Sequence, residues 1–328
     1  MKKTLLMAAL AAAVVVMFGC GGDSGADLDS DGRTWYCGTE KKPRALRATL
    51  KNGTLTVSGK GAMRDYYEPR GCIRDGADYE KVLKEWHSGS WPPWYFAVVY
   101  DSTVSITDVV IENGVTYIGN LAFSWLTGLK SITIPASVSS IGDVALGGCG
   151  VDCDMVWDDT CVSRPPSLTV AANNPHYSFE DGILFNKNKT TLLQYRRDGQ
   201  QDTYTIPNSV KAIGYGAFAR CNSLTSIIIP NSVTSIGNSA FSQCQGLTLI
   251  TIPGSVKTIG RVAFAHCYKL KSITVQTPIP PSLFGKDVFE RINANACLYV
   301  PKGSIDAYRA ANTWKDFKCV KAIELASE

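Results

Sequence analysis

Histidine is scarce in this chain: His87, His176 and His266 are the only three in 328 residues, and none has another histidine or a cysteine three or four positions away. Eleven cysteines include no Cys-x-x-Cys pair, and no Gly-x-Ser-x-Gly or similar nucleophile turn occurs. Zinc centres and motif-borne acyl transfer both need those residues at fixed spacing, so neither is supported. Charge is sparse as well. Only 19% of residues are charged, and the formal balance of +4 falls to about +2 once Lys2 and Lys3 leave with a leader, far too little to suggest a nucleic-acid partner. Beyond residue 19 no run approaches the ~18 apolar residues of a membrane helix. What the chain has instead is 45% hydrophobic residues, plenty to bury. No catalytic residue, metal or cofactor is assigned.

The stretch from Val210 to Val275 copies itself three times at a period of 23 residues. Val210, Val233 and Val256 are equivalent; so are Ile213, Ile236 and Ile259, then Phe218, Phe241 and Phe264, Cys221, Cys244 and Cys267, and Leu224, Leu247 and Leu270. A unit this short cannot bury its apolar face alone, so the invariant positions must form ladders between stacked neighbours. Leu224, Ile227 and Ile229 end each unit like a strand with one buried face, which Pro230 or Pro253 stops. Val-x-x-Ile-Gly reads as a second short extended piece, with Gly214, Gly237 and Gly260 giving backbone freedom at the corner. Ala-Phe-x-x-Cys then packs a ring and a thiol inward on a single helical turn.

The pattern Val-x-x-Ile-Gly-x-x-Ala-Phe-x-x-Cys-x-x-Leu-x-x-Ile-x-Ile-Pro-x-Ser resembles the BspA-like (Treponema pallidum type) leucine-rich repeat. The resemblance covers most of the chain beyond residue 19. It implies an α/β repeat, a right-handed leucine-rich-repeat solenoid rich in β-structure with short helical turns and capped at both ends. It also implies a bacterial cell-surface or secreted protein that binds other molecules, and it does not imply catalysis.

In chain order, residues 1–19 read as a signal peptide, and Met17-Phe18-Gly19-Cys20 resembles a lipobox whose Cys20 takes the lipid; the alternative is an ordinary secretory signal with an incidental cysteine. Gly21 after that cysteine leans toward the outer membrane, by resemblance to proteobacterial lipoproteins. Residues 20–34 read as a flexible acidic tether, and although Asp27, Asp29, Asp31 and Gly32 match the start of a calcium loop, its twelfth position is Gly38 rather than Glu. Residues 35–108 form an N-terminal cap with a hairpin turning at Asn52-Gly53. The array spans 109–275, with an acidic insert at 150–164 and a long unit at 171–207 that carries a hairpin over Asn186–Lys189; 276–328 close it. Ser304 reads as the N-cap of a helix from Ile305 to Asn312.

Cys149, Cys221, Cys244 and Cys267 fall on the repeat ladder as small buried residues. Of the other cysteines, proximity favours the disulfides Cys37–Cys72, Cys153–Cys161 and Cys297–Cys319. Asp154, Asp158 and Asp159 read as a solvated acidic loop.

What remains is surface. Between the buried strand positions, Lys130, Thr225, Thr248 and Lys271 fall in one row, Leu249 in a second with Ser131, Ser226 and Ser272, and Thr133, Ile228, Thr251 and Thr274 in a third. These rows make an open face rich in hydroxyls, either simply solvated or a binding surface of the kind repeat proteins use. Trp91, Trp94 and Trp157 offer aromatic planes that either seal the core or stack on sugar rings. The expected partners are an extracellular or envelope protein, or a polysaccharide, with the lipid anchor on a membrane.

Overall fold

A computed structural model describes residues 34–66, 92, 94, 98, 104–124, 126, 128–146, 167–196 and 202–323. Cys20, the tether up to residue 33, Trp91, Trp157, the 150–164 insert, His87, Cys72, Cys149, Cys153 and Cys161 lie outside them. The chain is a β-solenoid in two compact units, one comprising residues 1–147 and 166–176, the other 148–165 and 177–328.

In the first unit the strands are β1 (Thr34–Tyr36), β2 (Leu46–Lys51), β3 (Thr54–Gly59), β4 (Gly61–Ala62), β5 (Asp108–Ile111), β6 (Val115–Ile118), β7 (Ser131–Ile134), β8 (Ser140–Ile141) and β9 (Ser167–Val170). They form one sheet in the order β1-β2-β3-β5-β7-β9 and a second in the order β4-β6-β8. Asn52 and Gly53 both take positive φ, 49° and 79°, which is the geometry a two-residue hairpin needs. The hairpin then presents β3 to β5 in parallel, with Leu55 opposite Val109 and Val57 opposite Ile111, so the cap is the first rung of the repeat sheet. Thr34, expected in the tether, belongs to β1 and is buried opposite Thr49.

The second unit holds β10 (Tyr177–Glu180), β11 (Ile183–Asn186), β12 (Thr191–Tyr195), β13 (Thr203–Thr205), β14 (Ala212–Ile213), β15 (Ser226–Ile228), β16 (Ser235–Ile236), β17 (Leu249–Ile252), β18 (Thr258–Ile259), β19 (Ser272–Val275), β20 (Ser282–Leu283), β21 (Cys297–Val300) and β22 (Cys319–Ala322). Its sheets run β10-β11-β12-β14-β16-β18-β20 and β13-β15-β17-β19-β21-β22. Repeat partners lie in register as the period requires: Ile213 opposite Ile236, Ile236 opposite Ile259, Ile250 opposite Ile273. Stacking continues past Val275, because β20 and β21 pair in parallel with β18 and β19. The irregular coil in the closing segment is thus one more rung.

Ala-Phe-x-x-Cys is not a helical turn. The segment is bracketed by left-handed residues, Gly216, Ser239 and Val262 on one side (φ 57°, 55° and 46°) and Arg220, Gln243 and His266 on the other (φ 61°, 60° and 60°). Its N–H groups alternate between local turn bonds to residue i−3, such as Ala219 N to Gly216 O at 3.0 Å and Cys221 N to Phe218 O at 3.1 Å, and bonds to the next coil: Phe218 N donates to Ala240 O at 2.8 Å, Phe241 N to Ala263 O at 2.8 Å and Phe264 N to Val288 O at 2.9 Å. Coil-to-coil bonding has replaced the bonds to residue i−4 that a helix would make.

The corner glycines also have a different cause from the expected one. Gly214, Gly237 and Gly260 are not in the left-handed region; a Cβ on Gly237 would lie 2.8 Å from Gly214 C and 2.9 Å from its O. Close approach of the neighbouring coil excludes a side chain there. Gly237→Ala must push two coils apart and is expected to lower unfolding stability by about 1–3 kcal/mol in a denaturant titration.

The core of the second unit is a stack of rings. Phe218 and Phe241 lie 5.1 Å apart at 11°, Phe241 and Phe264 5.2 Å at 5°, and Phe264 and Phe289 5.5 Å at 7°. Tyr195 closes the stack at one end, 5.2 Å from Phe218, and Trp314 at the other, 5.2 Å from Phe289. Trp314 Nε1 donates to Pro281 O at 3.1 Å and Tyr308 Oη to Thr277 O at 2.8 Å, which satisfies the polar tips of both buried rings. The closing helix α1 spans Ile305–Ala310, shorter than expected, and Ser304 sits at its N-cap position without a side-chain bond to the helix. Ser304 has φ −100° and ψ −5°, outside the extended region that aims a capping hydroxyl at the first turn.

Candidate functional site

Cys244 Sγ donates to Phe218 O at 2.9 Å and Cys267 Sγ to Phe241 O at 3.1 Å, each thiol tying its coil to the one before. Burial pushes the Cys267 thiol up to about 12, which keeps it protonated and unreactive. Cys37 is likewise a wholly buried, free thiol, raised to about 12 by burial; Cys72, its expected partner, lies outside the described residues. The surroundings of Cys37 in the cap, which include the buried Tyr66, give a small apolar residue a packing role that proximity in sequence could not reveal. Cys297–Cys319 is formed, and it links directly opposed residues of β21 and β22. His266 Nδ1 meets Tyr268 Oη at 2.9 Å, and burial, reinforced by Arg291, lowers its pKa. Among the described residues no group of three or more His, Cys, Asp or Glu side chains could hold a metal ion.

The tryptophan reading changes at Trp94. Its ring is fully buried, stacks on Phe123 at 5.7 Å and 21°, meets Tyr66 edge-on at 5.8 Å, and donates Nε1–H to Ala122 O at 2.9 Å. Trp94 therefore lies under the cap as a core ring and offers no plane to a sugar. The Trp-Pro-Pro-Trp sequence marks an aromatic segment, but only packing tells which ring is inside.

The open face is present within each unit. In the first, Lys130 is exposed just before β7 and Thr133 is half-buried on it, with Val110 of β5 beside Thr133. In the second, Ser226, Leu249, Ser272 and Cys297 make one outward row, and Ile228, Thr251, Thr274 and Tyr299 the next. Ile228 is 52% exposed and Leu249 48%, an apolar pair on neighbouring strands amid hydroxyls. The row that leads into these strands is partly committed to the fold. Thr225 Oγ1 donates to Asp202 O at 2.9 Å and Thr248 Oγ1 to Thr225 O at 3.3 Å, so those hydroxyls brace the preceding coil. Lys271 is exposed at the end of that row. Tyr299 completes the third row and was missed in the sequence, because it lies beyond the regular period; its signal was the alternation Cys297-Leu298-Tyr299-Val300.

No described helix is long and apolar enough to cross a membrane. No curated protein matches the chain in sequence. Among solved structures, a leucine-rich repeat protein from Eubacterium ventriosum is similar at 20% identity over 88% of this chain and 85% of its own, with a TM-score of 0.43. A leucine-rich cell surface protein from Faecalibacterium prausnitzii is 16% identical over 86% and 94%, TM-score 0.40, and the leucine-rich repeat protein of T. pallidum 17% identical over 85% and 84%, TM-score 0.27. The BspA type leucine-rich repeat region matches in six copies over residues 97–156 and 195–304. With more than half its length in these coils, the chain belongs to the BspA-type leucine-rich repeat family, whose solenoids are in general protein-interaction modules.

Proposed function

We propose that this protein is a non-enzymatic binding module of the bacterial cell envelope, held to the outer membrane by lipid on Cys20 and facing outward, where it adheres to a protein partner. The observation that carries the reading is the open face of the second unit, where Ile228 and Leu249 stand exposed on adjacent parallel strands within rows of hydroxyls. A pair of this kind can be desolvated by a partner at little conformational cost, because the strands beneath are already fixed. Lys2, Lys3, the apolar run from Leu5 to Phe18 and the Gly19-Cys20 junction support the anchor. Capture of polysaccharide by tryptophans loses Trp94, and Trp91 and Trp157 lie outside the described residues.

The test uses residues 21–328 against an array of extracellular-matrix proteins, with the Ile228→Asp/Leu249→Asp double variant alongside. Binding to a matrix protein that weakens by about 2–3 kcal/mol, roughly 30- to 150-fold, in the double variant is the expected result. Binding unchanged in a folded double variant would remove this face from the account.

A further inference from the structure

The small net charge of the whole chain hides an asymmetry. From residue 203 to residue 286 there is no carboxylate, while seven lysines and arginines fall in the same interval. Across the described residues of the second unit, sixteen Lys and Arg stand against seven Asp and Glu. The excess has a focus. Lys321 lies directly opposite Tyr299 on the outward side of β22, Lys318 immediately precedes that strand, and Lys271 immediately precedes β19. All three lysines are exposed.

None of the three has an ion-pair partner among the described residues, where Lys189 pairs with Glu180, Arg261 with Asp287 and Arg291 with Glu290. Asp202, which leads into β13, is at the far edge of the sheet from β22. Strands in a sheet lie about 4.8 Å apart, so the backbones of Lys271 and Lys318, two strands from each other, are about 10 Å apart. Lys318 and Lys321, three residues along one strand, are separated by about the same distance. Between them lie the hydroxyls of Ser272 and Thr274, the half-buried ring of Tyr299 and the Cys297–Cys319 disulfide.

We propose that this patch, Lys271, Lys318 and Lys321 around Tyr299, binds an acidic polysaccharide. Ammonium groups spaced about 10 Å apart suit a chain whose carboxylates or sulfates are set at intervals by sugar rings, each lysine acting as a point charge. The intervening hydroxyls can donate to and accept from ring hydroxyls, and the tyrosine offers one apolar plane with a polar tip. An acidic peptide is the poorer fit. It would seek a free strand edge or an apolar groove, and this patch lies on the face of paired strands with no groove-forming apolar side chain beside the lysines. The site is additional to the protein-binding pair Ile228 and Leu249 and uses different residues.

The probe is heparin, with the full chain in detergent and the salt concentration varied. Wild type is expected to bind with an affinity that falls steeply as salt rises. Lys271→Glu/Lys318→Glu/Lys321→Glu should weaken binding at least about tenfold and flatten the salt dependence, while the charge-keeping Lys→Arg triple stays within about threefold of wild type. Neutral dextran should not compete. Wild type that fails to bind heparin, or a folded Glu triple that binds as well as wild type, overturns the proposal; so does polyglutamate displacing heparin at lower concentration, which would assign the patch to an acidic protein. Ile228→Asp/Leu249→Asp keeps its heparin binding, so the two readings fail separately.

Discussion

Phe241→Ala is expected to destabilise the protein by about 3–5 kcal/mol. The ring is wholly buried and contacts Phe218 on one side and Phe264 on the other at centroid distances of 5.1 and 5.2 Å. Truncation removes two near-parallel contacts and opens a void that the stack cannot close, because the coils on either side are fixed by backbone bonds from Phe218 N to Ala240 O and from Phe241 N to Ala263 O. Since each coil touches only its neighbours, the loss is expected to split unfolding into two steps. Denaturant titration followed by far-ultraviolet circular dichroism reads both effects. Phe241→Leu, which keeps most of the apolar volume, should cost well under half as much.

Replacing both Cys297 and Cys319 by serine should cost about 3 kcal/mol and release the closing segment. The bond spans a sequence separation of 22 and joins the last two strands of the second unit's six-stranded sheet, between which the chain passes through α1 and Trp314. Without it, β22 is held to β21 only by ladder bonds and the packing of Val320 on the core, and the cap that seals Phe289 can fray. Amide hydrogen exchange should then rise first in residues 301–323. Adding reductant to the wild-type protein should reproduce the shift, and the double serine variant should be insensitive to it.

Much of the architecture could be read from the sequence because a repeat states its own register. Once Ile213, Ile236 and Ile259 were aligned, their pairing and burial followed, and the structure places them opposite one another. The hairpins at Asn52-Gly53 and over Asn186–Lys189 were legible because their turns need particular residues; Asn186 Oδ1 accepts from Thr191 N at 2.9 Å and its amide donates to Thr190 at 2.8 Å. Other features were not legible. Bonds between coils decide the conformation of Ala-Phe-x-x-Cys, and nothing in the local sequence reports them. Phe289 extends the ring ladder but follows Phe264 by 25 residues, so the regular 23-residue period passes over it.

For the site, the outward rows came directly from alternation, whereas the rank of residues within them did not. Thr225 and Thr248 looked like ligand-facing hydroxyls and are bonded to the coil before. Ile228 and Leu249 gain their importance from exposure, which the alignment alone does not separate from that of Thr251. Trp94 shows the converse: composition offered an aromatic platform, and packing on Phe123 made it core.

In the proposed function a protein partner sits on the outward side of β15, β17 and β19. Hydrogen exchange of residues 21–328, free and saturated with the tightest-binding matrix protein from the array, measures this. Slower exchange confined to residues 225–229 and 248–252, extending toward 272–275, is the predicted result. Protection centred instead on β14, β16 and β18, or on the turns around Tyr215 and Tyr268, would contradict it.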